Sequence, residues 1–267
     1  MIVNRSGKRL DASSPGGRRD LSRRRLLGSA STVAASMMLT IALPGIAISQ
    51  TPNASSPEPL TAIDILLDPD QTMVEKAIAA NKRLRQSFPK GFVLGESHQP
   101  HISMLQRYVR TSDLDNVYAA VAKILADEHP ATWMLTAYKY YFIPWKNIGL
   151  AGIVIKPTED LRRFQRNLID SIAPFTAKTG TAAAFVRTKE DPDINKPTID
   201  YVARYVPDAS GDNFNPHVTI GIASQRFLKK LIREKFDKFT FSPVGVSVFH
   251  LGNFGTAREK LKSWSLT

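Results

Sequence analysis

Beyond residue 61, apolar and polar positions alternate first with the period of a strand and then with that of a helix, repeatedly. Ile63, Ile65 and Leu67 alternate with Asp64 across Ala62–Leu67, which predicts a strand. Thr72-Met73-Val74-Glu75 has the form of a capping box. After it, Val74, Ala77, Ile78, Leu84 and Phe88 continue one helical face as far as Pro89. A second strand is expected from His101 to about Tyr108. A second helix, capped near Ser112, carries Leu114, Val117, Val121 and Ile124 inward and stops before Pro130. Met134–Ile143 and Leu150–Ile155 flank a turn at Asn147-Ile148-Gly149 and predict a hairpin. A third helix follows Pro157-Thr158, buries Leu161, Phe164, Leu168 and Ile172, and ends at Pro174. Phe175–Thr198 shows no clear period, and a loop of that length in a compact domain is often functional. Ile199–Val206 reads as a strand, and another strand begins at His217. A fourth helix runs from a Ser224 cap through Ile232, and a last strand spans Phe241–Leu251.

The chemistry sits in two of these strands. Pro216-His217-Val218-Thr219-Ile220 puts His217 and Thr219 on one face and the apolar Val218 and Ile220 on the other. Pro100-His101-Ile102-Ser103-Met104 repeats the pattern 116 residues earlier. From average composition, two of the five histidines meeting it by accident is about a one-in-a-hundred event. The pair is therefore read as chemistry, where a single such histidine would not be. Each copy is followed by a helix and then by a strand rich in β-branched and aromatic residues. Such internal similarity predicts two lobes related by an approximate two-fold, with the motif strands facing across a cleft. Two imidazoles and two hydroxyls at one point suit acid–base chemistry on a phosphodiester. Tyr138, Tyr140 and Phe142 are expected to share a strand face; stacking on a base and packing in an aromatic core are both open to them. Lys139, Tyr141 and Arg258 are weaker candidates for phosphate contact. His98, His129 and His250 stand outside any motif, and Asp191-Pro192-Asp193 reads as a polar turn rather than as metal ligands.

Composition changes this picture little, except at the N-terminus. A hydrophobic content of 43% is that of an ordinary globular protein. Residues 1–49 hold eight Lys and Arg against Asp11 and Asp20, so half of the formal charge of +12 lies there. The remaining basic bias suits an anionic ligand without requiring a protein that coats nucleic acid. Ser22-Arg23-Arg24-Arg25-Leu26-Leu27 matches the twin-arginine export pattern, and a mildly apolar stretch to Ile48 follows it. Residues 1–49 are therefore expected to be a signal peptide, removed before Gln50 and leaving no stable membrane anchor. The partner there is the twin-arginine machinery and the destination the periplasm or the exterior. Residues 50–61, rich in Pro and Ser, read as a flexible linker, and 62–267 as a single bilobal domain, expected to be monomeric. The chain contains no Cys, so it needs no disulfide and offers no thiolate to a metal.

With these residues in hand, the paired His-x-Ser/Thr-apolar motifs resemble those of the 2H phosphoesterase superfamily, which includes 2′-5′ RNA ligase-like proteins and 2′,3′-cyclic nucleotide phosphodiesterases. The resemblance extends from about Ala62 to Arg258, with Asn215–Ile220 a close match to the second motif. It implies an α+β fold, bilobal and duplicated, with antiparallel sheets lining a central cleft and helices outside. It further implies catalysis by His101 with Ser103 and by His217 with Thr219, and neither a metal nor a cofactor. The substrate would be a small cyclic nucleotide or an RNA end carrying a cyclic phosphate, with 2′-5′ ligation as the reverse reaction. By the same resemblance His217 is the base and His101 the acid. A nucleotide-binding module without turnover, and a scaffold at the cell envelope, are the alternatives.

Overall fold

The computed structural model describes residues 58–266 apart from Ser97 and Glu190, so the expected leader at 1–49 and most of the linker at 50–61 lie outside the described residues. The first strand, β1 (Leu60–Pro69), begins within the segment expected to be linker. It is followed by α1 (Gln71–Ser87) and β2 (Ile102–Arg110). The N-terminus of α1 is capped by Asp70, whose carboxylate accepts from the Met73 amide at 3.2 Å, and not by the capping box expected at Thr72 and Glu75. Next come α2 (Leu114–Glu128), the hairpin β3 (Leu135–Trp145) and β4 (Ile148–Ile155), and α3 (Glu159–Ile172). Asp113 precedes α2 without a side-chain cap, and Ser112 instead donates to Glu58 at 2.6 Å. Thr158 caps α3 as expected.

The stretch after α3 departs most from the sequence pattern. A two-residue strand β5 (Thr176–Ala177) leads through an irregular segment to α4 (Lys196–Ala209), so Ile199–Val206 is helix and not strand. Its β-branched and aromatic residues mimic a strand, yet the start signals are those of a helix. Asn195 accepts from the Thr198 amide at 2.9 Å, and Pro197 sits in the first turn, where its fixed φ is pre-set for a helix. Thr198, Val202 and Tyr205 then recur at spacings of four and three and are buried. The chain closes with β6 (His217–Ser224), α5 (Gln225–Leu231) capped by Ser224, β7 (Phe239–Phe241), β8 (Pro243–Leu251) and β9 (Ala257–Ser265).

The strands form one curled antiparallel sheet in the order β7-β3-β4-β6-β2-β1-β8-β9, with β5 added beside β2. Its middle is thin: β6 and β2 share a single pair, Ile102 opposite Val218. On one side of that seam lie β6, β4 and β3, and on the other β2, β1 and β8. This is the order a two-fold axis through the seam would give. The helices follow the same logic, since α1, which joins β1 to β2, packs on β6 of the opposite half, and α3, which follows β4, packs on β2. Each half thus lends a helix to the other, which ties the two together although their strands hardly pair.

A large core fills the helix-covered face, with Ile63, Ile65, Met104, Phe164, Val218 and Ile220 among its fully buried members. Burying side chains of this size contributes about 1.5–3 kcal/mol each. A smaller core of Ala62, Tyr108, Ala184, Phe185, Ile194, Val202 and Leu251 lies on the opposite face, where α4 and the segment before it cover β2 and β1. Among the described residues no helix is long and apolar enough to cross a membrane.

Candidate active site

Ile102 and Val218, paired across the seam and both 0% exposed, point into the core. The alternation of a strand therefore turns His101, Ser103, His217 and Thr219 to the opposite face, where all four are partly exposed. The antiparallel pair Ile102–Val218 thus sets the two motifs side by side, and the two rings are near enough that the charge of His101 bears on His217.

Both histidines are held in the same way. Nδ1 of His101 bonds the carbonyl oxygen of Gln99 at 2.7 Å, and Nδ1 of His217 bonds that of Asn215 at 2.8 Å. A carbonyl oxygen only accepts, so Nδ1 carries the hydrogen in each ring. That leaves Nε2 as the atom that takes or gives a proton in the cleft. Burial, aided by the charge of His101, holds His217 below the ordinary histidine range, outweighing the Asn215 carbonyl, which acts the other way.

Behind the first motif lies a carboxylate that the sequence pattern does not mark. Asp64 of β1, with its side chain 0% exposed, accepts from Ser103 Oγ at 2.5 Å and from Gln106 Nε2 at 3.0 Å, both on Oδ2. The same oxygen lies 3.9 Å from His101 Nε2, too long for a hydrogen bond but within reach of its charge. Oδ1 of Asp64 and Oε1 of Gln106 are buried with no hydrogen-bond partner. Burial raises the Asp64 carboxyl to about 6, against the opposing pull of His101, Ser103 and Gln106.

The wall beside His217 is aromatic. Tyr141 of β3 meets the His217 ring edge-on, with centroids 4.8 Å apart, in the space left by Gly152 of β4. A Cβ on Gly152 would lie 2.5 Å from Tyr141 Cε1 and 3.3 Å from His217 Cδ2, so glycine is what lets the two rings meet. Burial, reinforced by the Tyr201 phenol, pushes the Tyr141 hydroxyl up and keeps it neutral. From α4, Tyr205 donates to the backbone oxygen of Ser103 at 3.1 Å.

The four motif residues therefore come together, but with an asymmetry. The Ser103 hydroxyl is engaged by Asp64, which leaves Thr219 as the hydroxyl better placed to donate into the cleft. The face expected to be shared by Tyr138, Tyr140 and Phe142 breaks up, and of the two roles left open to them core packing is the one Tyr140 and Phe142 take. Tyr140 packs edge-on against Phe236, and Phe142 lies over Gly149 beside Leu228, both on the helix-covered face. Tyr138 is the extra residue of a β-bulge, since Ala137 pairs with Ile155 and Lys139 with Val154, and so falls out of alternation with them. The aromatic that reaches His217 is Tyr141, which the strand period alone assigns to the face opposite Tyr140. Further along β3, Trp145 (54% exposed) meets Phe254 (64% exposed) at a centroid distance of 6.2 Å. Among the described residues no three His, Asp or Glu side chains gather as metal ligands would.

No protein-family model matches this chain, and no curated protein matches it. Solved structures similar to it include TT0787 of Thermus thermophilus, 15% identical, with 77% of this chain and 98% of that one covered and a TM-score of 0.47. They also include E. coli LigT complexed with 3′-AMP, 14% identical, with 79% and 99% covered and a TM-score of 0.39. A third is the MHV ns2 PDE domain, 10% identical, with 76% and 99% covered and a TM-score of 0.39. All three are members of the 2H phosphoesterase superfamily.

Proposed function

We propose that the protein is a phosphodiesterase that opens 2′,3′-cyclic phosphates, on a nucleotide or an RNA end, by acid–base catalysis with two histidines. The observation that carries this reading is the matched pair of imidazoles. Each Nδ1 is committed to the carbonyl two residues back, so each Nε2 is the proton-transferring atom, on one face of one strand seam.

In the reaction, Nε2 of neutral His217 takes a proton from water as the water oxygen forms its bond to phosphorus. One of the two ring P–O bonds breaks, and its electron pair stays on the departing ribose oxygen. Nε2–H of protonated His101 gives that oxygen its proton. The product is a ribose phosphate monoester, with His217 now cationic and His101 neutral, and exchange with solvent resets both. Thr219 donates to a non-bridging oxygen, where negative charge accumulates in the transition state. His217 suits the base role because burial keeps it neutral.

The test is turnover of 2′,3′-cyclic nucleotides in EDTA by the parent protein, His101→Ala and His217→Ala. Each variant should lose roughly 10²–10⁴-fold, as when a positioned acid or base is removed. In the parent, the rate should fall on the acid side as His217 takes up a proton, below the ordinary histidine range. Parent-like turnover in either variant would sink the reading.

A further inference from the structure

The two halves of the site can be compared position by position, because both motif strands bulge at the same place. On one side Ser103 pairs with Leu66, the register shifts, and Gln106 pairs with Asp64. On the other Thr219 pairs with Gly152, the register shifts, and Ile222 pairs with Leu150. The pair Asp64 and Gln106 thus has Leu150 and Ile222 as its two-fold counterpart, on the same face of the sheet as the histidines. Equivalent positions hold a buried carboxylate with its amide donor beside His101, and two aliphatic side chains beside His217. The backbone is duplicated, but the chemistry is not.

What surrounds Asp64 decides what it can do. From β2 it faces His101, Ser103 and Gln106. From α4 the phenols of Tyr201 and Tyr205 feel its charge, and both are kept neutral, Tyr201 being pushed up to about 12 mainly by burial. Across on β8 its partner is the apolar Phe249. Among the described residues the one side chain at ion-pair distance from Asp64 that can carry a positive charge is His101, which faces Oδ2. A carboxylate buried with its other oxygen bare is costly to charge, and His101 is the group beside it able to offset that cost.

We propose that Asp64 is the positioning residue of the first motif, its carboxylate orienting Ser103 and setting a negative charge beside Nε2 of His101, so that His101 serves as the acid and His217 as the base. This rests on the phosphodiester reading above and adds to it the group that makes two like histidines unlike. Ser103, whose proton goes to Asp64, acts within this arrangement as a strut that fixes the carboxylate beside the ring.

The test uses Asp64→Asn, which keeps the size and the acceptor for Ser103 but removes the charge, assayed on two substrates. Opening of 2′,3′-cyclic AMP expels a ribose alkoxide and needs an acid, whereas bis(p-nitrophenyl) phosphate expels a phenolate that does not. The expected result is a loss of about 10²–10³-fold on the cyclic nucleotide, in the range of a lost general acid, with less than about five-fold on the p-nitrophenyl ester. In addition, D64N/H101A should be no slower than H101A, because two groups acting as a unit are not additive. Histidine 15N NMR supplies a readout independent of turnover: at fixed pH, His101 should lose its Nε2 proton in D64N. The mirror variant Leu150→Asp, at a half-exposed position, should make His217 gain one and lower turnover, and it decides the matter should D64N fail to fold. Equal losses on both substrates, or a His101 spectrum unchanged in D64N, would overturn the proposal. If the parent turns over neither phosphodiester, the phosphodiester reading falls, and the two histidine spectra alone judge the role of Asp64.

Discussion

A carboxylate placed for chemistry in this way should weaken the fold, and the effect can be worked out with its sign. The Asp64 carboxyl sits at about 6 in the folded protein against 3.8 for the group in water. The folded state therefore holds this proton more tightly than the unfolded chain does. Between those two values unfolding releases a proton, so stability falls as pH rises through the window. With roughly 1.4 kcal/mol per unit, a raise of about two units corresponds to a ceiling of about 3 kcal/mol, fully developed above pH 6. Asp64→Asn has no charge to bury. Urea unfolding of the parent and D64N at pH 4 and at pH 7.5 should show the variant gaining on the parent as pH rises, by up to about that amount. Comparing the two proteins at each pH cancels every other carboxylate the chain contains. A difference in stability that is the same at both pH values would refute the reasoning, because it would mean that Asp64 is not ionised at a buried site.

Two further outcomes follow from the same geometry. Gly152→Ala puts a Cβ 2.5 Å from Tyr141 Cε1, which forces that ring aside, and 3.3 Å from His217 Cδ2, which must give by a few tenths of an ångström; kcat on a cyclic nucleotide should drop about ten- to a hundred-fold while thermal melting reports an overpacking cost of about 1–3 kcal/mol, and unchanged kcat would show that the Tyr141 contact does not position His217. If residues 1–49 act as a twin-arginine leader, replacing Arg23, Arg24 and Arg25 all by Lys should leave the protein in the cytoplasmic fraction of an expressing cell; continued export of that variant would exclude the route.

The elements legible from periodicity are those that bury one face, however distant in the chain the partner that covers it. Helices α1, α2, α3 and α5 and strands β1, β2, β4, β6 and β8 lie where the alternation places them, because burial of one face writes its own period into the chain. The segment 199–206 reads as a strand because Ile199, Tyr201, Val202 and Val206 favour strands as residues, while the Asn195 cap and Pro197, just outside the window, decide for helix. Tyr140 and Phe142 take the core role, one of the two that the sequence leaves open to them. Alternation says that they differ from Tyr141, but not which set faces the cleft, and that depends on Gly152 and Phe236 contributed by other elements.

Asp64 is the instructive case. Within its own strand it is the polar position between Ile63 and Ile65, and nothing nearby distinguishes it from a residue facing water. Its meaning comes from three non-local facts: β1 pairs with β2, the register shifts by one residue just past Ser103, and α4 covers that face of the sheet. Had the bulge been absent, Gln106 would not stand opposite Asp64 and the carboxylate would lose one of its two donors. The same bulge in the other half brings Ile222 opposite Leu150. A duplicated backbone therefore offers two equivalent seats beside the two histidines, and on the reading proposed above the side chain in each seat decides which imidazole gives a proton and which takes one. An acid and a base can be made from one repeated motif by changing residues that belong to neither copy of it.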